Sequence, residues 1–190
     1  MLAITLNDHL FWVTSRASGT LALLFSSVAV GVGVSMGAKW FKGRGPDLRA
    51  THEALSMATI VALVVHAVSL LGDRFLHPSP ADIVIPFASS YKTVWMTMGI
   101  VGGWMMIILG LSFYARGRIG EQRWRKLHRF TALAWVLGLA HSVGQGTDAG
   151  KLWFLVATGI VVLPAAALLA IRLSDRRPAP RAAAPEAVAR

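Results

Sequence analysis

Cysteine is absent from the 190 residues. That excludes disulfides, thiolate-held iron–sulfur clusters and zinc–thiolate sites, and leaves no thiol for covalent attachment of a macrocycle. Carboxylates are scarce: 9 Asp and Glu stand against 19 Lys and Arg. Inside the long apolar stretches none occurs except Glu53, at the edge of one of them. A proton path through a membrane ordinarily uses buried Asp or Glu as relay partners, so their scarcity weighs against one. No segment reads as a strand, a glycine-rich turn and a helix in a soluble setting, which excludes a built-in dinucleotide-binding unit. Gly43, Gly45 and the Gly31/Gly33 pair fall in a basic turn and an apolar run instead.

Apolar sequence is abundant, at 55% of the chain. Five stretches, 17–38, 51–71, 93–114, 124–144 and 152–171, have the length that carries a helix across a hydrocarbon core about 30 Å thick. The expected fold is all-α: a polytopic membrane helix bundle of five transmembrane helices in one domain, residues 1–173. A disordered cytoplasmic tail rich in Pro, Ala and Arg, residues 174–190, follows it. The first run is longer than the 7–15 apolar residues of a signal peptide, so it is expected to stay as a helix. Gly45-Pro46-Asp47 predicts a break before the second helix, with Thr51 as its cap. The connection 72–91, with its three prolines, predicts a cover lying at the membrane interface. Pro164 predicts a kink in the last helix.

A net charge of +10 would suit nucleic acid, but the positions of the charges do not. Fifteen Lys and Arg lie in the first and third connections, at Arg129 and in the C-terminal stretch; only Arg16, Arg74, Lys92 and Lys151 lie on the other side. Basic residues mark the cytoplasmic face of a membrane protein. The N-terminus is therefore expected outside and the C-terminus inside, with lipid rather than nucleic acid as the partner. The chain is therefore expected to be an integral protein of a cytoplasmic membrane.

Four of six histidines sit in two of these runs: His52 and His66 in the second, His128 and His141 in the fourth. His9 and His77 lie outside the runs and read as solvated. Ionisable groups within spanning helices are costly and point to function. At 1.5 Å per residue, the two histidines of each run are separated by about 20 Å along the axis, so two depth-matched pairs form between helices running the same way. One imidazole from each side suits a planar macrocycle holding iron, and two such centres would bridge the membrane. That predicts two haem b groups with His52, His66, His128 and His141 as iron ligands. The angles fit less well. Fourteen residues fall about 40° short of four turns and thirteen about 140° short, so tilt or an irregularity near Gly138 has to compensate.

Haem propionates need cationic partners. Lys39, Lys42, Arg44, Arg49, Arg125 and Arg129 are near the inner pair by topology. Outside, cations are few, which singles out Arg16 as a cofactor-binding residue, with a snorkelling anchor as the alternative. Trp135 lies between His128 and His141 in sequence, either between the two centres or as a packing aromatic. Trp12, Trp40, Trp95, Trp124 and Trp153 read as interfacial anchors.

TSRASG before the first run, His52 and His66 fourteen apart, RWRKLHRF leading into His128, His141 thirteen further on, and Gly146-Thr147-Asp148 together resemble the ferric reductase-like transmembrane domain family. The family includes ferric reductases, NADPH oxidases and the haem subunit of a bacterial methionine sulfoxide reductase. The resemblance covers about residues 10–172. It implies that the four histidines are haem ligands and that Arg16 matches an arginine near the outer haem. It also implies transmembrane electron transfer by an oxidoreductase haem subunit, from a cytoplasmic flavin- or NAD(P)H-linked donor to an extracytoplasmic acceptor. Many members have six helices, against five here, and ferric reductases and NADPH oxidases carry flavin and nicotinamide domains that this chain lacks. A flavin, bound here or on a flavoprotein reductase partner, would then be the intermediary. The alternative is a non-redox transporter or structural membrane protein with buried histidines.

Overall fold

The structure, a computed structural model, describes residues 2–40, 43–73 and 77–175. Lys42, Arg74 and the tail from residue 176, all invoked above, lie outside the described residues. Among the described residues the elements are helical: α1 (Leu2–Ala38), α2 (Gly45–Leu70), α3 (Pro80–Val84), α4 (Thr93–Leu111), a 3₁₀ turn (Ser112–Ala115), α5 (Arg116–Ile119), α6 (Glu121–His128), α7 (Thr131–Gln145) and α8 (Leu152–Ser174). Four stretches are long and apolar enough to cross a membrane: His9–Ala38, Gly45–Leu70, Thr93–Ile119 and Leu152–Ser174.

The fourth expected helix is divided. The Phe130 amide donates to the Leu127 carbonyl at 3.0 Å and the Ala132 amide to the Arg129 carbonyl at 3.3 Å. These three-residue bonds tighten the chain locally to about 120° per residue instead of 100°. Part of the 140° angular deficit between His128 and His141 is recovered there. The irregularity is thus at Arg129–Phe130, while Gly138 lies inside the unbroken α7.

Two other helix starts differ from expectation. α1 is continuous from Leu2, well before the apolar run begins. Its serines return their hydroxyls to its own backbone, Ser26 and Ser27 to the Leu23 carbonyl and Ser35 to that of Gly31, so no polar atom is stranded in an apolar setting. α2 begins at Gly45, with Pro46 in the first turn, where its missing N–H would have had no partner anyway. Thr51 is therefore inside the helix, donating to the Asp47 carbonyl, and caps nothing.

α1 packs along α2, α4 packs along α7, and α1 also contacts α7 and α8. Small residues make this possible: Ser15, Ser18, Ala22, Ser26, Ser27 and Ala29 are buried on α1. A Cβ on Gly102 would lie 3.1 Å from the Ala134 carbonyl oxygen, which shows how closely α4 and α7 approach. α2 and α7, which carry histidines, have little close backbone approach to each other. Val61, Val64 and Val68 of α2 and Leu155, Ile160 and Leu163 of α8 are exposed, the outward apolar surface expected against lipid. α8 continues through Pro164 to Ser174. The connection before α4 does not lie flat at the helix ends: Trp104, about 17 Å along α4, donates Nε1–H to the Val84 carbonyl at 2.9 Å.

Candidate functional site

The two depth-matched pairs form. The His52 and His128 rings have centroids 6.0 Å apart at an interplanar angle of 82°, and the His66 and His141 rings 6.4 Å apart at 76°. His9 and His77 are exposed and belong to neither pair.

Each ring is seated against a neighbouring helix. His66 Nδ1 is 2.7 Å from the Ser15 carbonyl oxygen, and His52 Nδ1 is 2.9 Å from that of Ala29, both on α1. His141 Nδ1 is 2.9 Å from the Trp95 carbonyl oxygen on α4. A carbonyl only accepts, so Nδ1 carries the proton and Nε2 keeps its lone pair. That is the second-shell arrangement by which proteins orient imidazole ligands. His128 is the exception. Its Nδ1 is buried and has no close hydrogen-bond partner.

Three glycines make the seats. A Cβ on Gly19 would stand 2.9 Å from His66 Nδ1, one on Gly33 would stand 3.0 Å from His52 Cε1, and one on Gly99 would stand 2.5 Å from His141 Nδ1. None of the three is singled out as a seat by the sequence analysis above. Their signal was present, since Gly19 and Gly33 are spaced by fourteen residues like His52 and His66.

The donor set fits a macrocycle. Among the described residues no group of three or more His, Cys, Asp or Glu could surround a metal ion. Each pair offers two imidazoles only, and a bare ion asks for about four ligands. An imidazole nitrogen binds a metal at about 2.0–2.1 Å, and a ring centre lies about 1.1 Å behind its nitrogen, so two imidazoles on one metal place their centroids about 6.3 Å apart. The observed 6.0 and 6.4 Å bracket that value.

Arg16 pairs with a carboxylate of the chain itself. Its Nε donates to Asp148 Oδ2 at 2.9 Å, its Nη2 pairs with Asp148 Oδ1, and its guanidinium lies 3.9 Å over the Trp12 ring. Asp148 is buried, and sequence reading had assigned it no role. The pair ties α1 to the α7–α8 connection beside the Ser15 carbonyl that holds His66. Removing either partner leaves the other charge half-buried and unpaired. Arg16→Ala and Asp148→Asn are each expected to lower stability by about 1–3 kcal/mol, and the double variant by less than their sum. Thermal unfolding of the four proteins in detergent checks this; strictly additive losses would mean that the pair does not couple.

At the end of the bundle that holds His52 and His128, Trp124 is more than an interfacial anchor. Its ring stacks on His128, centroids 4.9 Å apart at 28°, and its Nε1–H donates to Ser112 Oγ at 3.2 Å. Tyr114 donates to Glu53 Oε1 at 2.9 Å, joining the turn after α4 to the start of α2 beside His52. Between the pairs, Trp135 is buried and donates to Ser27 Oγ at 2.9 Å.

A family model described as "Ferric reductase like transmembrane component" matches residues 17–139, well over half of the chain. The match takes in His52, His66 and His128; it begins one residue after Arg16 and ends two before His141. No curated protein and no solved structure matches the chain.

Proposed function

We propose that this chain, which belongs to the ferric reductase-like transmembrane family, is a membrane electron-transfer subunit holding two bis-histidine haems. The observation that carries this reading is the pair of imidazole separations, 6.0 and 6.4 Å, at two depths of one helix bundle. His52 and His128 hold the inner haem, and His66 and His141 the outer. Bound haem iron supplies one-electron chemistry, which the side chains alone do not. The carbonyls of Ala29, Ser15 and Trp95 keep three imidazoles in the ligating tautomer, and the apolar helices keep water from the irons. The Arg16–Asp148 pair fixes the outer end of α1, and Arg16 offers charge beside an outer propionate. The chain crosses the membrane five times, with α6 and α7 forming the divided fourth crossing, and its basic connections face the cytoplasm. Those connections suit an acidic flavoprotein donor, and the acceptor lies outside.

Proteoliposomes test the function. With a membrane-impermeant oxidant trapped inside and dithionite added outside, the protein should speed consumption of the oxidant, and His66→Ala should abolish the gain. A histidine-lined ion path without redox chemistry would leave the oxidant untouched, and that result would contradict the proposal.

The donor chemistry gives a further expectation. A hydride carrier delivers two electrons together, whereas haem iron accepts one, so a flavin must intervene. NADH or NADPH alone should leave the haems of the purified chain oxidised, and a reduced flavoprotein should reduce them. Absorption spectroscopy under nitrogen reads both outcomes. Prompt reduction by NADPH in a sample free of flavin and other protein would contradict the requirement.

A further inference from the structure

The end of the bundle that holds His66 and His141 gathers polar side chains, and the neighbouring donors are engaged by the chain itself. Arg16 Nε and Nη2 are taken by Asp148. Lys92 Nζ donates to the Gly144 carbonyl at 2.8 Å, and the Ser142 hydroxyl to the Gly138 carbonyl at 2.9 Å. Gln145 differs: its Nε2 is buried and has no hydrogen-bond partner. Buried amide donors left unpaired are costly, and folded chains keep few of them. Gln145 lies four residues beyond His141, at the last position of α7. That spacing places it about 40° round the helix and about 6 Å further along it, on the face that carries His141. It therefore stands one turn above the His66–His141 pair, towards the connection that holds Asp148. The acceptor such a place calls for is one that the pair itself brings. A haem's propionates are carboxylates on an otherwise apolar ring, and a charge within a spanning bundle turns to the nearer surface.

We propose that Gln145 is a binding residue for the outer haem, its Nε2–H donating to a propionate. The inference rests on the two-haem reading. A hydrogen bond to an ionised carboxylate is among the stronger ones a neutral amide can make. It holds the propionate without cancelling its charge, and Arg16, balanced by Asp148, cancels little of it either. The negative charge that remains favours ferric iron, so Gln145 contributes to the potential of the outer haem as well as to its retention.

The test compares wild type with Gln145→Met and Gln145→Lys, the outer haem being the one that His66→Ala removes. Methionine keeps the length of the side chain and suits a helix equally well, but has no donor. Lysine restores a donor and adds a charge. Titration of the apoprotein with haem, read by Soret absorbance, should show Gln145→Met binding the outer haem about tenfold more weakly, with the inner haem unchanged. Potentiometric titration should show the outer haem's reduction potential lowered in Gln145→Met and raised above wild type in Gln145→Lys. With haem dimethyl ester, whose propionates carry no charge, wild type and Gln145→Met should bind alike at the outer site. A side chain that only packs would move neither the potential nor the contrast between haem and its ester. Should Gln145→Met fail to fold, Gln145→Lys carries the test, and an outer potential at or below wild type would overturn the inference. An outer haem with the same affinity and potential in wild type and Gln145→Met, or a loss that persists in full with the ester, would overturn it and leave the two-haem reading standing. A protein that holds no haem would overturn both.

Discussion

Replacing His66 or His141 with alanine is expected to remove the same one of two haems, and replacing His52 or His128 the other. The rings of each pair face each other at 6.0 and 6.4 Å, while about 21 Å of helix separates His52 from His66. No imidazole can therefore serve both centres. Each single variant should bind half the haem of wild type, and combining His66→Ala with His141→Ala should cost no more than either alone. Combining His66→Ala with His52→Ala should remove all haem. Haem per chain, measured by a pyridine haemochrome assay after purification, reads this directly. A His66→Ala, His141→Ala protein with no haem, when each single variant keeps one, would mean that the pairing is wrong.

The second large effect concerns a residue with no side chain. A Cβ at position 99 would lie 2.5 Å from His141 Nδ1 and 2.7 Å from its Cε1 and Cγ, closer than atoms pack. For α4 to back away, the close packing one turn on at Gly102 would have to open, where a Cβ would lie 3.1 Å from the Ala134 carbonyl oxygen. Overfilling of this kind costs about 1–3 kcal/mol, and here it falls on a ligand ring. Gly99→Ala is expected to lose most of the outer haem and keep the inner one. Gly103→Ala on the same helix meets nothing within 4 Å and should keep both, since alanine favours a helix over glycine by about 1 kcal/mol. Equal haem content in the two variants would show that the close approach has no bearing on the ligand.

What could be read from the sequence was what depends on axial rise and hydropathy. Fourteen and thirteen residues at 1.5 Å each place His52 opposite His128 and His66 opposite His141, whatever the surrounding detail. What could not be read depends on how neighbouring backbones approach. Serine and glycine on α1 look like packing residues, yet the carbonyls of Ser15 and Ala29 set the orientation of two rings. The Arg129–Phe130 break is invisible in composition because both residues keep helical angles and only the hydrogen-bond ladder changes. Arg16 was recognised as unusual by its isolation among outer cations. Its partner Asp148, 132 residues away, is a pairing that only the folded chain brings about. Proline told least: Pro46, which reads as part of a break before α2, lies in the first turn of that helix.

The central claim is that each histidine pair ligates one haem iron. Electron paramagnetic resonance of the oxidised protein, calibrated against haem content, tests it most directly. Two haems per chain, both giving low-spin signals of the bis-imidazole type, are predicted, one held by His52 and His128 and the other by His66 and His141. A preparation fully loaded with its native cofactor that showed no low-spin haem, or one haem per chain unaffected by His66→Ala and by His52→Ala alike, would contradict it.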